Sequence, residues 1–240
     1  MPRKIIDLSM PVHNEMKLFP GIKPTSIEIY EDWEQAARTL GTYDEGVRSL
    51  TAHYAITLSD HTGTHIDSVK HIRGPDAPGP EGIPIEKCFS DGVRLDFRHL
   101  ETGAGITVPD LEEALGKIGY DLKEDDIVLI QTGASSYNDE DRYLRDHVGM
   151  TEAATRWLIA RGVRVMGTDA PTFDPPVWAM FERKEFWRAH KVMEDEDYWH
   201  VENMTNLDKL PAHGFQVSVL PVAWVGTTGA PVRAIGIVDD

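Results

Sequence analysis

The chain has 240 residues, 41% of them hydrophobic and 27% charged, which is enough apolar material for the core of a globular protein. Its formal net charge of −16 opposes non-specific binding to nucleic acid or to an anionic membrane, and no apolar run approaches the length of a membrane span. The single cysteine, Cys88, excludes an intrachain disulfide framework. Together with a start that lacks the apolar region of a signal peptide, it favours a cytoplasmic protein.

Hydrophobic periodicity predicts strands at both ends of the chain and helix–strand units between them. The segments with strand-like patterns are 4–9, 25–30, 47–58, 91–97, 126–131, 163–167, 215–223 and 230–238. Thr107 and Thr151 are candidate N-caps of two helices, which Gly119 and Gly162 follow as end signals. A weaker helical pattern covers 31–44, and 74–85 is a loop rich in proline and glycine. This order predicts a mixed-sheet α/β protein in which 1–240 is a single domain.

Several candidate metal ligands and acid–base residues lie together in one short stretch of the sequence. Residues 59–72 read S-D-H-T-G-T-H-I-D-S-V-K-H-I and hold four potential metal ligands or acid–base groups, namely His61, His65, Asp67 and His71. An extended segment would point His65 and Asp67 to the same side, and a helical turn or tight loop would bring His61 towards His65. Gly63 lets the backbone bend closely between the two histidines. Imidazole and carboxylate together suit zinc, manganese or iron rather than calcium. The alternative is a solvated polar loop.

The motif is similar to the signature H-x-G-T-H-x-D-x-P-x-H of the metal-dependent hydrolases called the cyclase family, which includes bacterial kynurenine formamidases and isatin hydrolases. The matching positions are His61, Gly63, Thr64, His65, Asp67 and His71, and Val69 stands where proline is usual. Further blocks also resemble the family, namely His190 with Glu202 in V-E-N-M-T-N-L, Gly167-Thr-Asp169, and G-A-P-V-R-A-I at 229–235. The resemblance therefore spans nearly the whole chain.

The resemblance implies an α/β/β fold, assembly as a homodimer or homotetramer, and hydrolysis of an amide, lactam or lactone-like bond in a small substrate. It implies a divalent metal, zinc or manganese, as one or two ions per subunit. The first ion would take His61, His65, Asp67 and Glu202. The second, where present, would share the two carboxylates and add His190.

The resemblance also implies roles for two residues outside the metal shell. His71, the last histidine of the motif, would carry the proton between water and the leaving group. Phe19 stands where the formamidases have a substrate-contacting tryptophan, and it would stack on an aromatic substrate. Val69 and the aromatic stretch 174–190 depart from the formamidase pattern. That stretch is a candidate lid, and these departures leave the substrate open.

Several acidic and histidine positions keep two interpretations. His200 lies two residues before Glu202 and competes with His190 as a ligand. Asp169 is either a turn residue or a carboxylate that holds a ligand histidine by its ring N–H. Four histidines without motif partners are predicted to be surface or structural, namely His53, His99, His147 and His213.

The leading hypothesis for function is a metal-dependent hydrolase. A non-catalytic metal-binding oligomer that kept the fold is the alternative, and His71 argues against it, because a binding protein needs ligands but no spare proton carrier. A redox enzyme with iron on a His/His/carboxylate triad is a third hypothesis. The second carboxylate and the further histidine argue against it, because an open triad would suffice.

Overall fold

Strands outnumber helices in residues 3–239, the part of the chain that the computed structural model describes. The strands are β1 (Arg3–Asp7), β2 (Ser26–Glu31), β3 (His53–Thr57), β4 (His65–Asp67), β5 (Phe89–Asp96), β6 (Gly105–Ile106), β7 (Ile127–Gln131), β8 (Gly149–Met150), β9 (Val165–Thr168), β10 (Trp199–Glu202), β11 (Phe215–Ser218), β12 (Gly229–Pro231) and β13 (Ile235–Asp239). The helices are α1 (Trp33–Thr39), α2 (Lys70–Arg73), α3 (Val108–Ile118), α4 (Glu152–Ile159) and α5 (Val177–Arg183).

The main element is one mixed sheet of nine strands in the order β1-β13-β11-β5-β7-β9-β10-β4-β12. Its centre, β5-β7-β9-β10, is parallel, and the strands on either side pair antiparallel. The predicted adjacency of the two buried central strands is confirmed, because β7 and β9 pair directly and α4 lies between them in the chain.

Burial of both sheet faces explains why the first four residues of β7 are all apolar. Every residue of I-V-L-I-Q is buried. Val128 and Ile130 belong to the core cluster that also contains the apolar faces of α3 and α4. Ile127 and Leu129, which point the other way, belong to a second cluster with residues of β1, β10 and β11. The predicted caps support the helices, since the hydroxyls of Thr107 and Thr151 accept backbone N–H groups of the first turns.

The sheet curls, so that its two ends face one another across the second core cluster. A β-bridge joins Ser9, just after β1, to Met204, just after β10. Ile6 and Leu8 share that cluster with Ile66 of β4. The expected mixed-sheet α/β/β class is confirmed, and the second β layer is the returning part of the same sheet.

Several predicted strand limits were wrong. The pattern at 230–238 is two strands, because the chain leaves its pairing with β4 after Pro231 and joins β11 and β1 from Ile235 onward. Within 47–58 only His53–Thr57 is a strand, and it pairs with β2 in a separate two-stranded sheet. No helix within residues 3–239 has both the length and the apolar composition needed to cross a bilayer.

Candidate metal centre and active site

The motif stretch is built as a loop, a very short strand and a helical turn. His65 and Asp67 are separated by one residue on β4, so both side chains lie on one face, as predicted. Ile66 points to the opposite face and is fully buried in the second core cluster. Gly63 has a φ of 66°, and a Cβ there would lie 3.0 Å from a methyl of Val12. A glycine at this bend therefore satisfies both the backbone and the packing.

The register between β4 and β10 brings the late glutamate to the motif. Glu202 stands opposite His65 in this antiparallel pair. Its Oε2 lies 3.6 Å from His65 Nε2. On β10, His200 and Glu202 are two residues apart, so both point to the same side as the motif histidines. The antiparallel ladder thus assembles residues that are more than 130 positions apart in the chain.

Two clusters of possible ligands meet at Asp67. One consists of His61, His65 and Asp67, and the other of Asp67, His190, His200 and Glu202. Asp67 Oδ1 lies 2.9 Å from His61 Nδ1 and 3.2 Å from His65 Nε2. Asp67 Oδ2 lies 3.4 Å from His200 Nε2 and 3.7 Å from His190 Nε2. One carboxylate therefore faces both clusters, one oxygen to each.

Glu202 bridges the clusters in the same way. Its Oε1 lies 3.3 Å from His190 Nε2 and 3.4 Å from His200 Nε2, whereas Oε2 faces His65. Burial alone would raise the pKa of Glu202, but the imidazoles of His190 and His200, close to Oε1, outweigh it and hold the pKa well below its usual range. Burial also raises the pKa of Asp67, but the charge of His61 and the close imidazoles of His200 and His65 lower it well below normal. Both carboxylates are therefore ionised at neutral pH.

The polar atoms at this centre fit a divalent cation. Of the atoms that the structure describes, His65 Nε2, both carboxylate oxygens of Asp67 and both ring nitrogens of His200 are buried without a hydrogen-bond partner. Buried polar groups without partners are rare, because each costs the desolvation free energy of the group. A cation supplies the missing partner for several of these atoms at once. Imidazole nitrogen and carboxylate oxygen are ligands that zinc and manganese accept.

Hydrogen bonds behind two of the rings aim their Nε2 atoms at the centre. His65 Nδ1 donates to the carbonyl of Gly63 at 2.8 Å. His190 Nδ1 donates to Asp174 Oδ2 at 2.6 Å, and the backbone N–H of His190 reaches the same oxygen at 3.0 Å. In each ring the opposite nitrogen, Nε2, therefore keeps its lone pair available for a metal ion. Asp174 is fully buried and was not identified from the sequence.

Of the two roles predicted for Asp169, the structure shows that of a turn residue. Its carboxylate accepts the N–H and hydroxyl of Thr132, the N–H of Gly133 and the hydroxyl of Ser135. It therefore holds the turn after β7 and touches no histidine. The carboxylate that holds a ligand histidine is Asp174, five residues later. A cue was available, since Asp174 opens the stretch 174–190 that ends on His190.

His190 and His200 are not alternative candidates for one ligand position, because both belong to the second cluster of possible ligands. Their ring centroids are 4.4 Å apart at an interplanar angle of 74°, and both side chains are buried. His200 stacks on Phe173 with centroids 4.6 Å apart and a 7° angle between planes. The two-residue spacing of His200 and Glu202 on a strand was the signal that both would face the centre.

His71 lies beside the clusters without joining them. It sits on α2, with its ring centroid 4.3 Å from that of His61, and its Nε2 is 3.8 Å from Asp67 Oδ2. Its side chain keeps 35% of its surface exposed, whereas that of His65 keeps 1%. Burial, together with the nearby positive charges of His61 and His190, lowers the pKa of His71 and outweighs the opposing negative charges of Asp67 and Glu202. A neutral imidazole that water can reach is suited to accept a proton.

A pocket of about 290 Å³ opens onto the centre. His61, His65, Asp67, His71, His190 and Glu202 form its polar floor. Its walls include Phe19 and Ile22 from the segment before β2, and Trp187 from the aromatic stretch. Phe19 therefore lines the pocket, and its contact with a substrate stays a prediction. Trp187 was not singled out from the sequence, and its φ of 47° places it in the left-handed region, which non-glycine residues rarely adopt.

The four histidines predicted to be surface or structural belong to neither cluster. His53, His99 and His213 are exposed. His147 is buried, and burial lowers its pKa to about 4. Its expected structural role fits this neutral, buried state.

The amino-acid sequence is similar to that of known proteins over nearly the whole chain. A family model described as "Cyclase: Putative cyclase" matches residues 6–175. Kynurenine formamidase from Bacillus cytotoxicus is 27% identical over 232 residues, which are 96% of this chain and 95% of that protein. Kynurenine formamidase from Bacillus cereus (strain ATCC 10987 / NRS 248) is 28% identical with the same coverage.

Solved structures share the fold at lower identity. Isatin hydrolase A from Labrenzia aggregata, bound to benzyl benzoate, superposes with a TM-score of 0.82 at 24% identity, covering 99% of this chain and 94% of that one. An isatin hydrolase bound to the product analogue thioisatinate gives a TM-score of 0.84 at 18% identity, covering 99% and 93%. These likenesses extend over the whole sheet and its helices.

Proposed function

We propose that this chain, which belongs to the putative cyclase family and is a metal-dependent hydrolase, cleaves a carbon–nitrogen bond or a lactone bond in a small cyclic or aromatic substrate. The bond would be an amide, a formamide or a lactam. The observation that carries the proposal is the pair of ligand clusters bridged by Asp67 on the floor of an apolar-walled pocket, with His71 beside them. The relatives' names support the carbon–nitrogen bond, since they include formamidases and isatin hydrolases.

Zinc or manganese is the proposed cofactor, as one or two ions. His61, His65, Asp67 and Glu202 would hold the first ion. His190 and His200 would complete a second site with the same two carboxylates. Such an ion supplies a water of lowered pKa and polarises the scissile carbonyl.

His71 is the proposed proton carrier. As a neutral imidazole it accepts the proton of the attacking water while a new carbon–oxygen bond forms at the carbonyl. It then gives that proton to the leaving nitrogen or oxygen as the old bond breaks, so the products are a carboxylic acid and an amine or alcohol. Its exposed edge lets the proton exchange with solvent between turnovers. Asp67, 3.8 Å from its Nε2, stabilises the imidazolium that forms in between.

The pocket walls favour an aromatic substrate. Phe19, Ile22 and Trp187 offer flat apolar surface above the polar floor. A volume of about 290 Å³ is at the small end of ligand pockets, which fits a substrate of one or two rings. An aryl ring held there would place an attached carbonyl at the carboxylates and His71.

The proposal is tested first by metal analysis of untagged protein purified without chelator, followed by a screen of formyl anilides, lactams such as isatin, and lactones. We expect bound zinc or manganese and turnover of at least one class, with loss of activity after chelation. A protein that binds neither metal, or that hydrolyses none of these classes when loaded, would contradict the proposal.

The role of His71 needs a variant that separates chemistry from metal binding. His71→Ala should lower kcat by about 10²–10⁴-fold while metal content stays at the wild-type level. His99→Ala is the matched control, since His99 is exposed and outside the site, and it should retain wild-type kcat. Wild-type turnover in His71→Ala would rule out the proton-carrier role. Loss of metal together with activity would make His71 a ligand instead.

A further inference from the structure

His61 faces the metal centre with Nδ1, whereas His65 and His190 face it with Nε2. His61 presents Nδ1 to Asp67, and its Nε2 lies 2.8 Å from the hydroxyl oxygen of Thr228, on the loop before β12. That hydroxyl is also 2.9 Å from Asp60 Oδ2. His61, Thr228 and Asp60 thus form a chain of hydrogen bonds that runs away from the metal centre.

The proton positions in this chain follow from what each group can donate. Asp60 Oδ2 accepts the backbone N–H of Thr228 at 2.9 Å and of Gly229 at 3.2 Å. An oxygen to which two backbone N–H groups already donate acts as an acceptor, as in a carboxylate. A carboxylate only accepts, so the single hydroxyl proton of Thr228 goes to Asp60. The Thr228 oxygen must then accept from His61, which puts a proton on Nε2.

The backbone beside the ring limits its movement. A Cβ on Gly229 would lie 2.9 Å from His61 Cε1 and 3.2 Å from the carbonyl oxygen of Asp60. The ring therefore packs directly on the backbone of β12. This strand is tied to the motif through Ser68, whose N–H and hydroxyl both donate to the Thr228 carbonyl, at 2.9 and 2.8 Å.

We propose that Asp60 and Thr228 are positioning residues that hold His61 so that it binds the metal through Nδ1, whereas His65 and His190 bind through Nε2. The inference rests on the proposed metal-binding function. In this arrangement His61 Nδ1 and Asp67 Oδ1, 2.9 Å apart, both present lone pairs to the same point, and a cation between them removes their repulsion. Asp60 thereby has a function within the motif stretch, next to the first ligand.

The test compares hydroxyl removal with hydroxyl retention at one position. Thr228→Val removes the hydroxyl that links His61 to Asp60 at nearly constant side-chain volume, and Thr228→Ser keeps that hydroxyl. Thr227→Val is the control, because within residues 3–239 the hydroxyl of Thr227 bonds only to the carbonyl of Gly229, the first residue of β12. Zinc affinity is measured by competition with a chelator, and chemical denaturation of each metal-free variant reports any general loss of stability.

We expect Thr228→Val to bind zinc about 10–100-fold more weakly than wild type, the range for losing a partner behind a ligand histidine, while the Ser variant and the control stay within about threefold. Two-bond ¹H–¹⁵N correlation spectra of the zinc-loaded wild type should show His61 bound through Nδ1, with hydrogen on Nε2. Wild-type affinity in Thr228→Val, or zinc on Nε2 of His61, would overturn this inference alone. Absence of zinc binding by the wild type would overturn the proposed function as well.

Discussion

Removing the metal should make the stability of this protein fall as pH rises through neutrality. Burial by itself lowers the pKa of His61, but the negative charge of Asp67, 2.9 Å from its Nδ1, outweighs burial and raises the pKa from 6.5 to about 8. The pKa of His190 moves in the same direction, since the hydrogen bond to Asp174 and the nearby carboxylate of Glu202 outweigh burial. A raised histidine pKa stabilises the folded state below the unfolded value, and that contribution disappears as pH rises through the folded value.

The magnitude for His61 follows from its shift. A rise of about 1.5 pH units corresponds to about 2 kcal/mol of unfolding free energy, fully present only below pH 6.5. About 1.5 kcal/mol of it should be lost between pH 6.5 and about 8.5. His71 offsets only a small part of this loss, because the effect of its lowered pKa lies mostly below pH 6.5. Zinc-loaded protein should show the opposite trend, since metal binding requires deprotonated histidines and strengthens with pH.

The assay is urea denaturation at pH 6.5 and about 8.5, with metal-free and zinc-loaded protein side by side. Metal-free His61→Gln serves as the control, and its pH dependence should be smaller than that of the wild type by about 1.5 kcal/mol over the same interval. A metal-free protein whose unfolding free energy is constant or increases from pH 6.5 to about 8.5 would refute the reasoning, since His61 would then not carry its raised pKa.

Three further outcomes are expected. Asp174→Asn should weaken zinc binding by roughly 10–100-fold in a chelator competition, because His190 loses the carboxylate that orients it, and unchanged affinity would contradict this role. Phe19→Ala should raise KM for an aromatic substrate by about 2–10-fold with little change in kcat, the effect of one lost aromatic contact, and a change confined to kcat would argue against substrate binding. The expected homodimer or homotetramer should appear in size-exclusion chromatography with light scattering. Tyr54→Glu with Ile56→Glu should weaken it, since these side chains on β3 are 52% and 61% exposed, and a monomeric wild type would contradict the expectation.

The motif could be interpreted from the sequence because its geometry is local. Alternation along a strand places His65 and Asp67 on one face whatever the rest of the chain does, and Gly63 marks the bend that returns His61 to them. The continuous apolar run of β7 likewise indicates a strand covered on both faces. Strand limits near the carboxyl terminus were not predictable, because the chain changes partners between Pro231 and Ile235 without a change in its apolar character.

The remainder of the site depended on which distant segments pair. The antiparallel register that sets Glu202 opposite His65 is made by backbone hydrogen bonds, which carry no sequence signal of their own. A shift of one residue would turn Glu202 and His200 into the apolar core. Thr228 reaches His61 across 167 positions for the same reason, as β12 adds to the edge of β4. The ligand types and their local spacing were therefore present in the sequence, whereas the bridging carboxylate, the second cluster and the groups behind each ring exist only once distant strands have paired.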